Sequence, residues 1–140
     1  ILVTSGGKNV APAPIENALT NSPFIEQVVV IGDNRNFISA LIVPTQEAVE
    51  NELSAQSKSV SGSEIMSDHP DVKELLQKEV DGVMEGFSNY ERVKEFSILP
   101  RLFTIYDGEL TPTLKVVRKV VLDHFSDAVE KNYSSSPKKN

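Results

Sequence analysis

Two consecutive runs, Gln27–Gly32 and Asn36–Pro44, constrain the fold more than anything else in this sequence. Gln-Val-Val-Val-Ile-Gly is followed, after Asp33-Asn34-Arg35, by Asn-Phe-Ile-Ser-Ala-Leu-Ile-Val-Pro. Both runs are rich in strand-favouring residues and turn-type residues join them, so the spacing predicts an antiparallel hairpin. A hairpin with one wet face would alternate apolar and polar residues. These runs are almost continuously apolar, so both faces need cover, and helices must supply it.

The helices are legible as periodic stripes. Val72, Leu75, Leu76, Val80, Val83, Met84 and Phe87 fall at helical spacing behind Pro70, with Glu74, Lys78, Asp81 and Glu85 on a solvated opposite face. Ser67 or Asp68 is placed to cap that helix. Ile15, Ala18 and Leu19 mark a shorter helix behind Pro12 or Pro14, stopped by Asn21-Ser22-Pro23. Thr45–Leu53 predicts another. A last helix is predicted from near Leu114 to about Lys131, with Val117, Val120, Val121, Phe125, Ala128 and Val129 on one side. Ile1–Thr4 and Val10-Ala11 read as short strands around the turn Ser5-Gly6-Gly7-Lys8-Asn9. Phe96–Leu99 and Phe103–Tyr106 read as strands, and Asp107-Gly108-Glu109 as a turn. The serine-rich stretch Ser54–Ser67 reads as a connection. Residues 1–132 then form one domain, followed by a disordered tail, Tyr133–Asn140. The sum is an α+β fold: a small antiparallel or mixed sheet with helices packed on it, preceded by an N-terminal β-hairpin.

Composition narrows the function classes. A net charge of −6 argues against nucleic acid as a partner, because duplex binding needs a basic surface. Basic residues gather only at Lys115–Lys119 and in the tail. The absence of cysteine removes disulfides, thiolate metal sites and Cys nucleophiles together, and fits a reducing compartment. His69 and His124 are too isolated for a metal site, and none is expected. No apolar run approaches the roughly 18 residues of a membrane span.

Two segments carry chemistry. In Gly108-Glu109-Leu110-Thr111-Pro112-Thr113-Leu114-Lys115-Val116-Val117-Arg118, Pro112 holds the chain extended and biases Thr111 away from helix. Lys115 then falls in the first turn of the predicted last helix, where the backbone is already partly positive. Such charge beside two threonine hydroxyls suits a phosphate or carboxylate. A solvated surface lysine fits the same pattern. Ser5–Glu16 contains Gly-Gly-Lys but lacks Walker spacing, and alone it reads as an ordinary turn.

Together the segments resemble motifs of the adenylate-forming superfamily, which includes acyl-CoA synthetases, firefly luciferase and peptide-synthetase adenylation domains. Thr111, Thr113 and Lys115 match the Thr, Ser and catalytic Lys of its Pro-Lys-Thr-x-Ser-Gly-Lys motif. Leu110 and Leu114 replace that motif's first Lys and its Gly, departures similar to the long-chain fatty acyl branch, where Gly-Glu-Leu-Thr-Pro-Thr-Leu-Lys is typical. Gly7, Val10, Pro12 and Ile15-Glu16 match the hairpin motif Gly-x-x-Val-x-Pro-x-Glu-Ile-Glu, with Pro14 in place of the first Glu. Asn89–Phe96 is similar to the family's Tyr-Lys-x-Pro-x-x-Phe segment. The resemblance spans Ile1 to about His124.

What the resemblance implies is the C-terminal lid domain of an AMP-forming long-chain fatty acyl-CoA synthetase. Such an enzyme joins fatty acid and ATP into acyl-adenylate, then transfers the acyl group to coenzyme A. Lys115 becomes the catalytic residue of adenylation, with Thr111 and Thr113 as nucleotide contacts. Gly7 would lie beside pantetheine in the thioester step, with Lys8 near an anionic part of CoA. ATP, Mg2+ and the acyl chain would be held mainly by the lid's partner, a large N-terminal adenylation domain. The hinge is expected just before Ile1, so the chain reads as a fragment, inactive alone. A cytoplasmic location is expected, with peripheral membrane association open to the full-length enzyme. Two alternatives stay open: a stand-alone interaction module with this fold, and the lid of another adenylate-forming ligase.

Overall fold

The computed structural model describes residues 1–60 and 69–134. The predicted connection beyond Val60, the cap predicted at Ser67 or Asp68, and the tail after Ser134 lie outside the described residues.

The chain opens with a two-stranded hairpin, β1 (Leu2–Val3) against β2 (Asn9–Val10), and continues into α1 (Pro12–Thr20). The apolar runs form β3 (Ile25–Ile31) and β4 (Ile38–Pro44), antiparallel with Val28 opposite Ile42 and Val30 opposite Ala40. Helices α2 (Gln46–Ala55) and α3 (Pro70–Met84) follow, and β5 (Val93–Ile98) then adds to β4 in parallel, giving the mixed order β3-β4-β5.

Alternation of side chains along β3 and β4 sends residues to two separate cores. Val28, Val30, Ala40 and Ile42 face α1, α2 and α3 through Ile15, Leu19, Val49, Leu53, Val72 and Leu76. Val29, Ile31, Leu41 and Val43 face the other way, against Leu99, Phe103, Val121 and Val129. Continuous hydrophobicity in the hairpin therefore reflects cover on both faces.

Proline opens two of these helices: Pro12 is at the start of α1 and Pro70 at the start of α3, positions where a missing N–H costs nothing. The residue that caps α3 is His69, whose Nδ1 accepts a hydrogen bond from the Asp71 amide at 3.2 Å.

The C-terminal third departs from the sequence reading in three places. Phe103–Tyr106 is not a strand. Phe103 is buried and its amide donates to Gln27 Oε1 at 2.7 Å, while Thr104 and Asp107 bond each other and close a turn. The last helix starts at Arg118, not Leu114, and divides into α4 (Arg118–His124) and α5 (Ser126–Asn132). Phe125 sits between them at φ −113° and ψ 32°. Its ring packs on Phe103 (5.9 Å between centroids) and under the Arg101 guanidinium at 4.8 Å, contacts that accompany the break. Tyr133, expected to open a disordered tail, packs instead. Its hydroxyl donates to the Phe37 carbonyl at 2.9 Å and its ring lies 4.7 Å from that of Phe37. Beside it, buried Asn132 fastens α5 to the sheet, accepting from Ser97 Oγ at 2.7 Å and donating to the Ala40 carbonyl at 3.1 Å.

Candidate functional site

Lys115 lies in a hairpin, not a helix. Leu110 pairs with Val116 as an antiparallel bridge, the Thr111 amide donates to the Lys115 carbonyl at 2.8 Å, and the Leu114 amide donates to the Thr111 carbonyl at 2.8 Å. Pro112 and Thr113 make the bend, and Leu114 adopts φ +67°. Thr111 Oγ1 accepts from the Lys115 amide at 3.0 Å and lies 3.1 Å from Thr113 Oγ1. The Lys115 backbone is thus held from both sides, while its side chain is exposed and has no hydrogen bond or ion pair among the described residues. The helix-dipole argument does not apply to it. Thr111 spends its hydroxyl shaping the turn, and Thr113 stands exposed beside it.

The root of this hairpin is an ionic cluster that sequence reasoning missed. Glu109 is fully buried, and its carboxylate takes two hydrogen bonds from Arg101 (2.7 and 2.6 Å), one from the Thr104 amide (3.1 Å) and one shared with His124 Nδ1 (2.7 Å). Its backbone closes the hairpin: the carbonyl accepts from the Val117 amide at 2.8 Å, and the amide donates to the Thr104 carbonyl at 3.0 Å. The Arg101 hydrogen bonds, with those from His124 and Thr104, hold the carboxyl down to about 2 against the opposing effect of burial. The sequence reading places Glu109 in a turn and within the motif but gives it no role, because its partners lie elsewhere in the chain.

The second predicted site is the turn between β1 and β2. Gly7 has φ +85°, and a Cβ there would meet no atom within 4 Å, so the glycine serves backbone conformation and not packing within this domain. The Thr4 amide donates to the Lys8 carbonyl at 2.9 Å and the Gly7 amide to the Thr4 carbonyl at 2.9 Å. Lys8 holds its ammonium 5.3 Å from the centroid of the Tyr90 ring.

These two hairpins are attached at opposite ends of β3. The Gly7 hairpin hangs on the turn after the strand, through Ser5 to Arg35 (2.9 Å), Asn34 to Val3 (2.8 Å) and Val3 to Asp33 (3.1 Å). The Lys115 hairpin lies by the start of the strand, where Leu110, Leu114 and Val116 line a shallow cleft with Glu26, Gln27 and Val28. Seven residues at about 3.3 Å each place those ends on the order of 20 Å apart. The structure groups Thr111, Thr113 and Lys115 in one place, and Gly7 and Lys8 in another. What links the two motifs is Glu16, which accepts from the Val30 amide at 2.8 Å and pairs with Arg118 at 2.9 Å.

Comparison with solved structures gives the class. The fold superposes on the adenylation domain of a carboxylate reductase from Mycobacterium chelonae with a TM-score of 0.75 and 27% identity, covering 96% of this chain and 19% of that one. It also superposes on the A–PCP didomain of a carboxylic acid reductase from Segniliparus rugosus in complex with AMP, with a TM-score of 0.73, 29% identity, and coverage of 95% and 17%. The chain belongs to the family described as AMP-binding enzyme C-terminal domain, whose model matches residues 1–137. It is 43% identical over 136 residues to the long-chain-fatty-acid–CoA ligase FadD15 of Mycobacterium tuberculosis, covering 96% of this chain and 22% of that protein. It is 30% identical over 157 aligned residues to the long-chain-fatty-acid–CoA ligase ACSBG1 of Bos taurus, covering 99% and 22%. The chain therefore spans about a fifth of the length of these curated relatives.

Proposed function

We propose that this chain is the C-terminal domain of an ATP-dependent long-chain fatty acid–CoA ligase and that its two hairpins serve the two halves of the reaction. The observation that carries the reading is Lys115: a cation with no hydrogen bond or ion pair among the described residues, displayed on a hairpin whose root is fixed by an ionic cluster around buried Glu109.

In the first half, a fatty carboxylate oxygen attacks the α-phosphorus of ATP and the bond to pyrophosphate breaks. Two anions converge, so a positioned ammonium stabilises the transition state. In water two unit charges 4 Å apart interact by only about 1 kcal/mol, but by about 4 kcal/mol in a partly enclosed protein site. Lys115 alone in solvent is therefore a weak catalyst and needs a partner surface that excludes water. Five of the eight large exposed hydrophobics among the described residues, Leu102, Ile105, Tyr106, Leu114 and Val116, lie on its own hairpin or the loop leading to it. They suit docking against the larger adenylation domain. The exposed Thr113 hydroxyl, 3.1 Å from Thr111 Oγ1, would bond a nucleotide oxygen there. Mg2+ neutralises phosphate charge when bound. Among the described residues no group of three His, Cys, Asp or Glu is placed to hold a metal ion, so the reading assigns Mg2+ to the larger domain.

In the second half, the CoA thiolate attacks the acyl carbonyl carbon and AMP leaves. A rotation of this domain would bring the Gly7 hairpin inward in place of the Lys115 hairpin. A turn without a side chain lets pantetheine pass close to the backbone. Lys8 would approach CoA phosphate. No helix among the described residues is long and apolar enough to cross a membrane. A cytoplasmic enzyme with peripheral membrane contact remains part of the proposal.

The likeness to carboxylate reductase adenylation domains favours one second reading, a lid that serves a carrier-bound thiol in place of free CoA. The test of Lys115 is ATP–pyrophosphate exchange, run without a thiol, by the full-length enzyme carrying Lys115→Ala, and thioester formation with free CoA or with a carrier domain as acceptor separates the two readings. Exchange is expected to fall by about 100-fold or more. Exchange at the wild-type rate would refute the role of Lys115.

A further inference from the structure

We infer that Glu109 is a positioning residue for adenylation, setting where the Lys115 ammonium stands; the inference rests on the adenylation role of Lys115. Glu109 touches no substrate, because its carboxylate is wholly buried. It is, however, the point where three parts of the chain meet beneath the lysine. Arg101 comes from the loop after β5, Thr104 from the following turn and His124 from the end of α4. The Glu109 backbone bonds Thr104 before the hairpin and Val117 after it, so both legs are fixed at one residue. From there the Leu110–Val116 bridge and the Thr111–Lys115 bonds carry that placement six residues on to Lys115.

A burial argument points the same way. Only the carboxylate of this cluster is buried, with the Arg101 and His124 side chains 42% and 37% exposed, so screening trims what the ion pairs add to stability. What charged, bidentate hydrogen bonds add is fixed geometry. Fixed geometry is needed at the base of a loop whose lysine must meet an α-phosphate held by another domain. Misplacement by about 1 Å can cost about 100-fold in rate.

The experiment is a double-mutant cycle in the full-length enzyme, measuring ATP–pyrophosphate exchange and, separately, thioester formation from supplied acyl-adenylate. Glu109→Gln keeps the shape and removes the charge. It is expected to lower the kcat of exchange by about 10- to 100-fold, with KM for ATP changed less than about threefold and thioester formation unchanged. In a Lys115→Ala background the same substitution should cost less than about twofold, because it acts through the lysine. His124→Ala removes one donor from a partly exposed residue. It should give a smaller loss that also vanishes without Lys115, and it keeps the test open should Glu109→Gln fail to fold. Equal loss of both half-reactions, or full additivity with Lys115→Ala, would show a merely structural role and overturn the inference. If Lys115→Ala itself leaves exchange intact, the reading of the lysine fails first.

Discussion

Acid should weaken this protein through Glu109 in a way that one substitution can isolate. The carboxyl is held at about 2 in the folded chain against an ordinary 4.5, chiefly by the Arg101 hydrogen bonds. A depressed carboxylate binds fewer protons folded than unfolded, so its contribution is complete above about pH 4.5 and is lost as pH falls toward 2. The difference corresponds to about 3 kcal/mol, and screening at the 42%-exposed Arg101 side chain brings the expectation to about 2–3 kcal/mol. Urea unfolding of the wild type and of Glu109→Gln, at steps from pH 7 to pH 2.5, reads it directly. Other carboxylates titrate in both proteins, so their effects cancel in the difference. The gap should be about 2–3 kcal/mol at pH 7, hold to about pH 5, and narrow steadily below that. A gap that stays constant across the range would show that the ionised carboxylate is not what holds the cluster.

Two further substitutions probe local structure. Leu114→Gly relieves a left-handed φ of +67°, worth about 1–2 kcal/mol, against about 0.5–1 kcal/mol of added chain entropy. The chain should therefore gain up to about 1.5 kcal/mol in urea unfolding, and a loss would mean that the exposed Leu114 side chain packs favourably. Tyr133→Phe removes the hydroxyl bonded to the Phe37 carbonyl and should cost about 1 kcal/mol in the same assay, with no change expected if Tyr133 belonged to a disordered tail.

Much of this fold is legible in the sequence because its strongest signals are local and redundant. The double-faced burial of β3 and β4 follows from their unbroken hydrophobicity. The core face of α3 follows from Val72, Leu76, Val80 and Met84. Pro12 and Pro70 mark helix starts by chemistry that needs no tertiary context. The reading failed where tertiary contacts decide. Val117 opens a helical stripe on paper, but pairing across the Thr111–Lys115 turn takes that stretch into a hairpin, and the helix waits until Arg118. Phe125 fits the helical period, yet it breaks the helix where its ring meets Phe103 and Arg101. Within the candidate site, Lys115, Thr111 and Thr113 were found through the motif they form. Glu109, Arg101 and His124 were not, because their partnership spans 23 positions and no short pattern encodes it.

The central claim is that the two hairpins serve different half-reactions, and it is tested by crossing one variant of each with both assays. In the full-length enzyme, Lys115→Ala removes the cation. Gly7→Asn adds a side chain at φ +85° while keeping a residue that tolerates the left-handed region. ATP–pyrophosphate exchange and thioester formation from supplied acyl-adenylate are measured for each. A crossed pattern is expected: Lys115→Ala loses exchange and keeps thioester formation, and Gly7→Asn keeps exchange and loses thioester formation. Parallel losses in both assays for either variant would contradict the account.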